Sequence, residues 1–343
     1  MFQRFLTDNL SRNKPFCLFG AKGVGKTTLV RDFANKFSNW IHLDLETAVD
    51  RAIFNFDVSA DETLKAIGFL KDAEIKGNGT LIVLDEIARC PEAMRWVNKR
   101  TGGQADGRTG GQADKRTGRQ ADGRTGGPVE AKGPFVVATS SILTEELALL
   151  TVAENGILEP RYLYPMSFEE FLPVMDDIAA LEAFREVPVP YYAYEKLLNY
   201  FHLYSLIGGM PEITGEYAVT RHLTGLRNIY EKIEDRLIGC MEDVTAGPKS
   251  RDLAVEVLQN TYPYAGTRIS FNHFGNLEKG SREIGNAFNS LERASFLQMI
   301  LPVTGTTFPL TPDASKFPRL QLLDTGLVNY FSGIQKPLFN LTT

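Results

Sequence analysis

The chain has no long hydrophobic run. Nothing in its 343 residues approaches the roughly 18 consecutive apolar side chains that a membrane-spanning helix needs. Its best runs, such as Leu81-Ile82-Val83-Leu84, are strand-sized. The opening stretch MFQRFLTDNLSRNKP is broken by Arg4, Asp8 and Arg12 and lacks the apolar core of a signal peptide. Cysteine is scarce: Cys17, Cys90 and Cys240 are odd in number and scattered, which excludes a disulfide framework and a clustered zinc site. These absences lead us to expect a cytoplasmic protein with no membrane partner. Wholesale disorder is excluded as well, because 43% of the residues are hydrophobic. The length predicts two or three domains.

One segment stands apart. Residues 100–127 read RTGGQADG, RTGGQADK, RTGRQADG and RTGG, with no apolar side chain larger than Ala. With nothing to bury, this repeat is expected to form a disordered loop. Its basic residues fit a single-strand-binding tail, but it lacks aromatics for stacking and every full unit carries an Asp. The simpler reading is a tolerated expansion, because lengthening a loop from about 4 to about 32 residues costs only roughly 2 kcal/mol. The net charge of −5 divides unevenly around the repeat. Residues 1–99 carry 14 basic and 13 acidic side chains, the repeat 6 and 3, and the remainder 17 and 26.

The strongest motif comes early. Pro15-Phe16-Cys17-Leu18-Phe19 reads as a strand, GAKGVGKT follows from Gly20 to Thr27, and Leu29, Val30, Phe33 and Ala34 then repeat at helical spacing. Strand, G-x-x-x-x-G-K-T and helix form the context of a P-loop. Glycines at 20, 23 and 25 let successive backbone N–H groups turn toward phosphate oxygens, and the helix N-terminus adds positive potential. Gly20, Gly23, Val24, Gly25, Lys26, Thr27 and Thr28 are thus the expected nucleotide-binding set. Lys26 reaches the β- and γ-phosphates, and the Thr27 hydroxyl ligates Mg²⁺.

A second strand-like run, Thr80–Leu84, ends in Asp85-Glu86. At the carboxyl end of a parallel strand Asp85 is placed to hold the metal and Glu86 to activate water. A guanine-reading N-K-x-D is missing, since Asn98-Lys99-Arg100-Thr101 lacks the Asp, so the expected cofactors are ATP and Mg²⁺. Two further strands, Trp40–Leu45 and Pro134–Thr139, complete the expected sheet. The second ends in Ser140-Ser141, where Ser140 is the candidate catalytic hydroxyl, with Thr139 and Ser141 close behind. These polar residues also suit a cap for a helix starting near Thr144. His42 reads as a core or edge histidine.

These residues carry a resemblance. GAKGVGKTTLV, LIVLDEIARCPE, VVATSSIL, PRYLYPMSFEEFL, GGMPE at Gly208–Glu212 and LLDTGLVNYFSG at Leu322–Gly333 resemble a prokaryotic group of AAA-type P-loop ATPases with a C-terminal domain of unknown function. The resemblance implies ATP hydrolysis by Lys26, Thr27, Asp85 and Glu86. It also implies that Arg161 approaches the γ-phosphate, although a surface pairing with Glu159 or Glu169 is the alternative. GGMPE reads as a tight turn between helical segments. Members of the group continue past the D-x-G-L segment into a nuclease-like region, so the resemblance implies that this chain, ending at Thr343, is truncated there.

The second half reads as helices with breaks at Pro173, Pro188, Pro190 and Pro211, including an amphipathic segment over 229–238. Tyr191, Tyr192, Tyr194, Tyr200, Phe201 and Tyr204 are expected to pack this connector. Beyond Ser250, expected helices over 252–259, 269–276 and 283–292 precede strands over 296–303, 307–310 and 320–323. That is a winged-helix order. The expected fold class is therefore α/β: an AAA-type P-loop sheet flanked by helices (1–165), a helical connector (166–249) and a winged-helix-like domain (250–343). The expected function is Mg-dependent ATP hydrolysis driving a conformational switch. The alternative is a DNA- or protein-binding regulator that holds nucleotide structurally, with a protein partner or self-association also open.

Overall fold

The computed structural model describes Arg4 and residues 10–101, 133–151 and 157–335. Apart from Arg100 and Thr101, the repeat over 100–127 lies outside the described residues, as does the chain after Gln335. In the N-terminal half the order is β1 (Phe16–Phe19), α1 (Lys26–Ala34), β2 (Asn39–Asp44), α2 (Ala48–Ala52), α3 (Ala60–Leu70), β3 (Thr80–Asp85), α4 (Pro91–Thr101), β4 (Phe135–Ser140), α5 (Glu145–Thr151) and β5 (Glu159–Tyr162). The five strands form one parallel sheet in the order β2-β3-β4-β1-β5.

Alternation along each inner strand explains why helices cover both faces. Leu81 and Val83 of β3 join one core with Phe16, Leu18 and Val137, whereas Ile82 and Leu84 join the other with Cys17, Phe19, Val136 and Ala138. Successive side chains of a strand point to opposite faces, so a strand buried on both sides must be apolar throughout. The strand β5, at the sheet edge beside β1, is an addition to the sequence expectation. Pro160 lacks an N–H and is tolerated there because an edge strand has one unpaired side.

The C-terminal half is mainly helical: α6 (Phe168–Val174), α7 (Ile178–Arg185), α8 (Tyr194–Ile207), α9 (Pro211–Thr220), α10 (Arg227–Gly239), α11 (Met241–Val244), α12 (Pro248–Thr261), α13 (Ser281–Arg293) and α14 (Thr325–Phe331). An antiparallel pair, β6 (Leu297–Ile300) and β7 (Arg319–Leu322), follows α13. Pro173 lies inside α6 rather than breaking it, and Pro211 opens α9. The stripe Tyr230, Ile233 and Leu237 buries one face of α10.

Three expectations for the last segment change. Residues 269–276 form only a one-turn 3₁₀ helix, Phe274–Asn276, because His273, Gly275 and Asn276 adopt positive φ of 55°, 60° and 60° and cannot propagate an α-helix. Residues 307–310 form no strand; the pairing nearby is a single bridge between Val303 and Pro312. The strand expected over 296–303 is limited to Leu297–Ile300. A further bridge pairs Arg268 with Arg319. The core on the α1 face of the sheet continues without a break through Met210, Tyr230, Phe288 and Leu320, so it joins the sheet to the helical half.

The GGMPE turn lies at that junction. Gly208 ends α8 at φ 81°, a left-handed value that favours glycine. Gly209 donates its N–H to Asp324 Oδ2 (2.7 Å) and accepts from the Met166 N–H (2.7 Å). Asp324 also caps α14 by accepting from the Leu327 N–H at 3.1 Å. Burial pushes its carboxyl up to about 6, against the backbone hydrogen bonds from Gly209, Leu327 and Gly326.

Candidate nucleotide site

The phosphate loop closes on itself at the end of β1. Gly23 and Gly25 adopt φ of 90° and 97°, conformations that only glycine enters without strain. Lys26, Thr27 and Thr28 form the first turn of α1, whose leading N–H groups have no partner within the helix. Lys26 is buried, and its Nζ donates to Gly20 O (2.9 Å), Ala21 O (3.3 Å) and Ser141 Oγ (2.7 Å). The same ammonium lies 3.4 Å from Glu86 Oε1.

Asp85 and Glu86 emerge at the end of β3, and β4, lying between β3 and β1, links them to the loop. Thr27 Oγ1 donates to Asp85 Oδ2 at 2.9 Å, and Thr139 Oγ1 donates to Asp85 Oδ1. His42 Nε2 stands 3.1 Å from Asp85 Oδ2. Burial works against ionising Asp85, yet the hydrogen bonds from His42, Thr139 and Thr27 outweigh it and hold the carboxyl below its ordinary value. Glu86 sits at φ 55° and accepts from the Ser141 N–H (2.8 Å) and Ser141 Oγ (2.5 Å).

The structure thus brings together Lys26, Thr27, Asp85 and Glu86, with Gly20, Gly23, Val24, Gly25 and Thr28 in the loop and first turn. It does not bring Ser140 to them through its side chain: Ser140 Oγ donates to Ile142 O at 2.6 Å, and the hydroxyl that meets both Lys26 and Glu86 belongs to Ser141. Arg161 lies on the edge strand β5 and pairs with Glu159 at 2.9 Å. Among the described residues no hydrogen bond or ion pair joins it to the loop.

Two contributors have no local signal in the sequence. Arg4 is 7% exposed, and its guanidinium donates to Val24 O (2.8 Å), Tyr164 O (2.7 Å) and Glu170 Oε1 (2.9 Å). It therefore braces the phosphate loop against the capping box of α6, where Ser167 and Glu170 hold each other's N–H groups. The second is a ring of charge beside the loop. Lys22 pairs with Glu46, and Arg89 lies 3.6 Å from Glu46 and 2.6 Å from Asp243 of α11. Burial lowers and Glu46 raises the Lys22 ammonium, with Glu46 prevailing. Burial raises the Asp243 carboxyl although Arg89 opposes it.

The donor set fits a magnesium nucleotide. One hydroxyl and one carboxylate, Thr27 and Asp85, offer hard oxygen atoms within hydrogen-bond reach of each other, and Mg²⁺ takes its remaining ligands from phosphate and water. The glycine turn and the Lys26 ammonium present the positive groups that the phosphates require.

Comparison with known proteins agrees with this geometry. The family described as an AAA domain matches residues 12–109, and a domain of unknown function, DUF8612, matches residues 198–338. No curated protein matches the chain. Among solved structures, the Walker-type ATPase PABY2304 of Pyrococcus abyssi is similar at 12% identity and a TM-score of 0.55, covering 97% of this chain and 96% of that one. At that identity the likeness shows a shared fold. The Aeropyrum pernix ORC1 protein, solved in complex with DNA, overlaps at 14% identity over 98% of this chain and 90% of its own, with a TM-score of 0.34. Among the described residues no helix is long and apolar enough to cross a membrane. The chain carries an AAA domain of P-loop type followed by a C-terminal domain of unknown function.

Proposed function

We propose that the protein binds and hydrolyses Mg·ATP and that loss of the γ-phosphate moves its helical half. The observation that carries the reading is the convergence of Lys26, Thr27, Asp85, Glu86 and Ser141 at adjacent strand ends. A bound phosphate draws Lys26 away from the carbonyls of Gly20 and Ala21, because the ammonium is attracted more strongly to an anionic oxygen than to a neutral one. Magnesium, when bound, neutralises charge between the phosphates. Thr139 and His42 hold the Asp85 carboxylate in place, and Ser141 aims Glu86. The test is phosphate release by the whole chain with Mg²⁺ and with EDTA. Release that depends on Mg²⁺ is expected; a chain that neither binds nor turns over ATP refutes the reading.

The charged ring supports the switch. Asp243 belongs to the helical half, whereas Lys22, Glu46 and Arg89 belong to the sheet end. A γ-phosphate beside the loop competes with Glu46 and Asp243 for these cations, so the contact between the halves weakens when nucleotide binds. Asp243→Asn is expected to speed phosphate release by about two- to fivefold, because a partly exposed ion pair is worth up to about 1 kcal/mol. An unchanged or slower rate in a steady-state assay argues against the contact as a restraint. The order of α12, the Arg268 bridge, the 3₁₀ turn, α13, β6 and β7 supports a winged-helix-like last domain over 250–343, after a connector over 166–249 and an ATPase domain over 1–165. Three buried free cysteines support a cytoplasmic setting.

A further inference from the structure

The helix α8 carries more apolar surface than the fold covers. Tyr191, in the turn that leads into it, is followed by Tyr194, Leu198 and Phe201 at spacings of three, four and three residues. Side chains so spaced form one stripe down a helix, the kind of seam by which one helix packs on another. These aromatics do not pack the connector, as Tyr200 and Tyr204 do: the stripe is between 48% (Phe201) and 86% (Tyr191) exposed. Tyr192, also exposed, widens it, with its ring 6.0 Å from that of Tyr191.

The other flank of α8 is already in use. Ala193 and Leu197 join Leu172 and Leu181 in a small core, and the Tyr204 ring meets Phe171 at 5.5 Å. At the far end Asn329 of α14 donates to the Ser205 and Leu206 carbonyls at 2.8 and 3.3 Å. Phe168 stands edge-on to Phe201 at 5.3 Å and leaves that ring half open. At roughly 200 Å² for a whole aromatic side chain, the stripe and Tyr192 leave on the order of 600 Å² uncovered. A stable interface takes about 800 Å² from each partner, so this face with its polar margin is the size of one side of an interface.

The margin says which partner fits. Glu195 and His202 each follow a stripe residue by one position, so both stand on the edge of the stripe away from the core, and both are exposed. Among the described residues neither forms an ion pair, and the neighbouring Lys196 is committed to Asp177. Two copies of α8 laid antiparallel seat Leu198 on Phe201 of the second copy and Tyr194 over its small Ser205. The same register brings Glu195 beside the second copy's His202, whose imidazole keeps an N–H donor even when neutral. A two-fold axis repeats that contact, so donor and acceptor meet twice. A slip of seven residues would set Glu195 against Glu195, and a parallel pair would turn Glu195 toward Leu197, which offers it no donor.

We infer that the chain self-associates through α8 as an antiparallel, two-fold pair of helices. No residue of the nucleotide site takes part, so the inference stands independently of ATP turnover.

The test is sedimentation equilibrium of the whole chain from about 1 to about 100 μM, the range of Kd for a modest interface. A reversible monomer–dimer equilibrium is expected. Leu198→Asp should weaken it about a hundredfold or more, because each copy then buries a carboxylate against Phe201 of the other. It should melt as the wild type does, since the site is exposed in the single chain. If it melts early, Tyr194→Glu replaces it under the same criteria. His202→Glu should weaken pairing about tenfold by setting carboxylate against carboxylate twice, and adding Glu195→Lys should recover most of that loss. A chain that stays monomeric throughout, its stripe then left to a different protein, overturns the inference. So does a dimer that the folded Leu198→Asp or Tyr194→Glu chain keeps intact. Failure of Glu195→Lys to rescue His202→Glu overturns the antiparallel register.

Discussion

Glu86→Gln is expected to slow steady-state phosphate release by about 10²–10⁴-fold, the range for removing a positioned general base. ATP affinity should stay within a few-fold, because Glu86 meets Ser141 and Lys26 and does not belong to the phosphate loop. Glutamine keeps the volume and an acceptor for the Ser141 N–H, so geometry survives while the base is lost. Lys26→Ala should fail differently. It removes the ammonium that bridges Gly20, Ala21 and Ser141, and both nucleotide binding and release should fall below detection. Equilibrium binding of a fluorescent ATP analogue beside a phosphate-release assay separates the two. A Glu86→Gln protein that turns over at the wild-type rate removes the proposed base.

The second large effect concerns stability at the GGMPE turn. Asp324→Ala leaves the buried N–H groups of Gly209 and Leu327 without acceptors, a loss of about 2–5 kcal/mol. Gly326→Ala should be as severe, since its Cβ would stand 2.0 Å from Ile207 O and backbone would have to move. Urea unfolding reads both, and a variant within 0.5 kcal/mol, as for an exposed surface site, refutes the joint. The carboxyl also makes a pH signature. Because the folded value, about 6, lies above the usual 3.8, the native state holds this proton more tightly than the unfolded chain. Its contribution is complete below about pH 4 and is lost as pH rises to about 6, a change of up to about 3 kcal/mol. The margin of wild type over Asp324→Asn should shrink across that window.

Much of the site was legible because phosphate binding imposes local rules. Glycines at fixed spacing, a lysine before a helix and carboxylates after a strand are signals within a few residues of one another. Ser140 and Ser141 show where such rules stop: neighbouring residues at a strand end face opposite ways, and only the backbone decides which hydroxyl turns inward. Arg4 and Glu170 lie 166 positions apart, as Gly209 and Asp324 lie 115 apart, and nothing local announces either meeting. His42 reads as a core or edge histidine and does lie on the edge strand β2, but its approach to Asp85 comes from the parallel pairing with β3, which no local pattern announces. The strand β5 was missed because Glu159, Pro160 and Arg161 have loop composition. The 3₁₀ turn at Phe274 was misread because apolar spacing carries no record of positive φ.

The place of β4 in the sheet governs when the site comes into being during synthesis. β1 and β3 do not touch each other; each pairs with β4, which the ribosome makes last of the three. A nascent chain carries its glycine loop and its two carboxylates early, yet no strand pairing holds β1 and β3 side by side before Phe135–Ser140 has been made. Any fragment ending before Ser141 therefore lacks the hydroxyl that joins Lys26 to Glu86, and with it the assembled catalytic cluster.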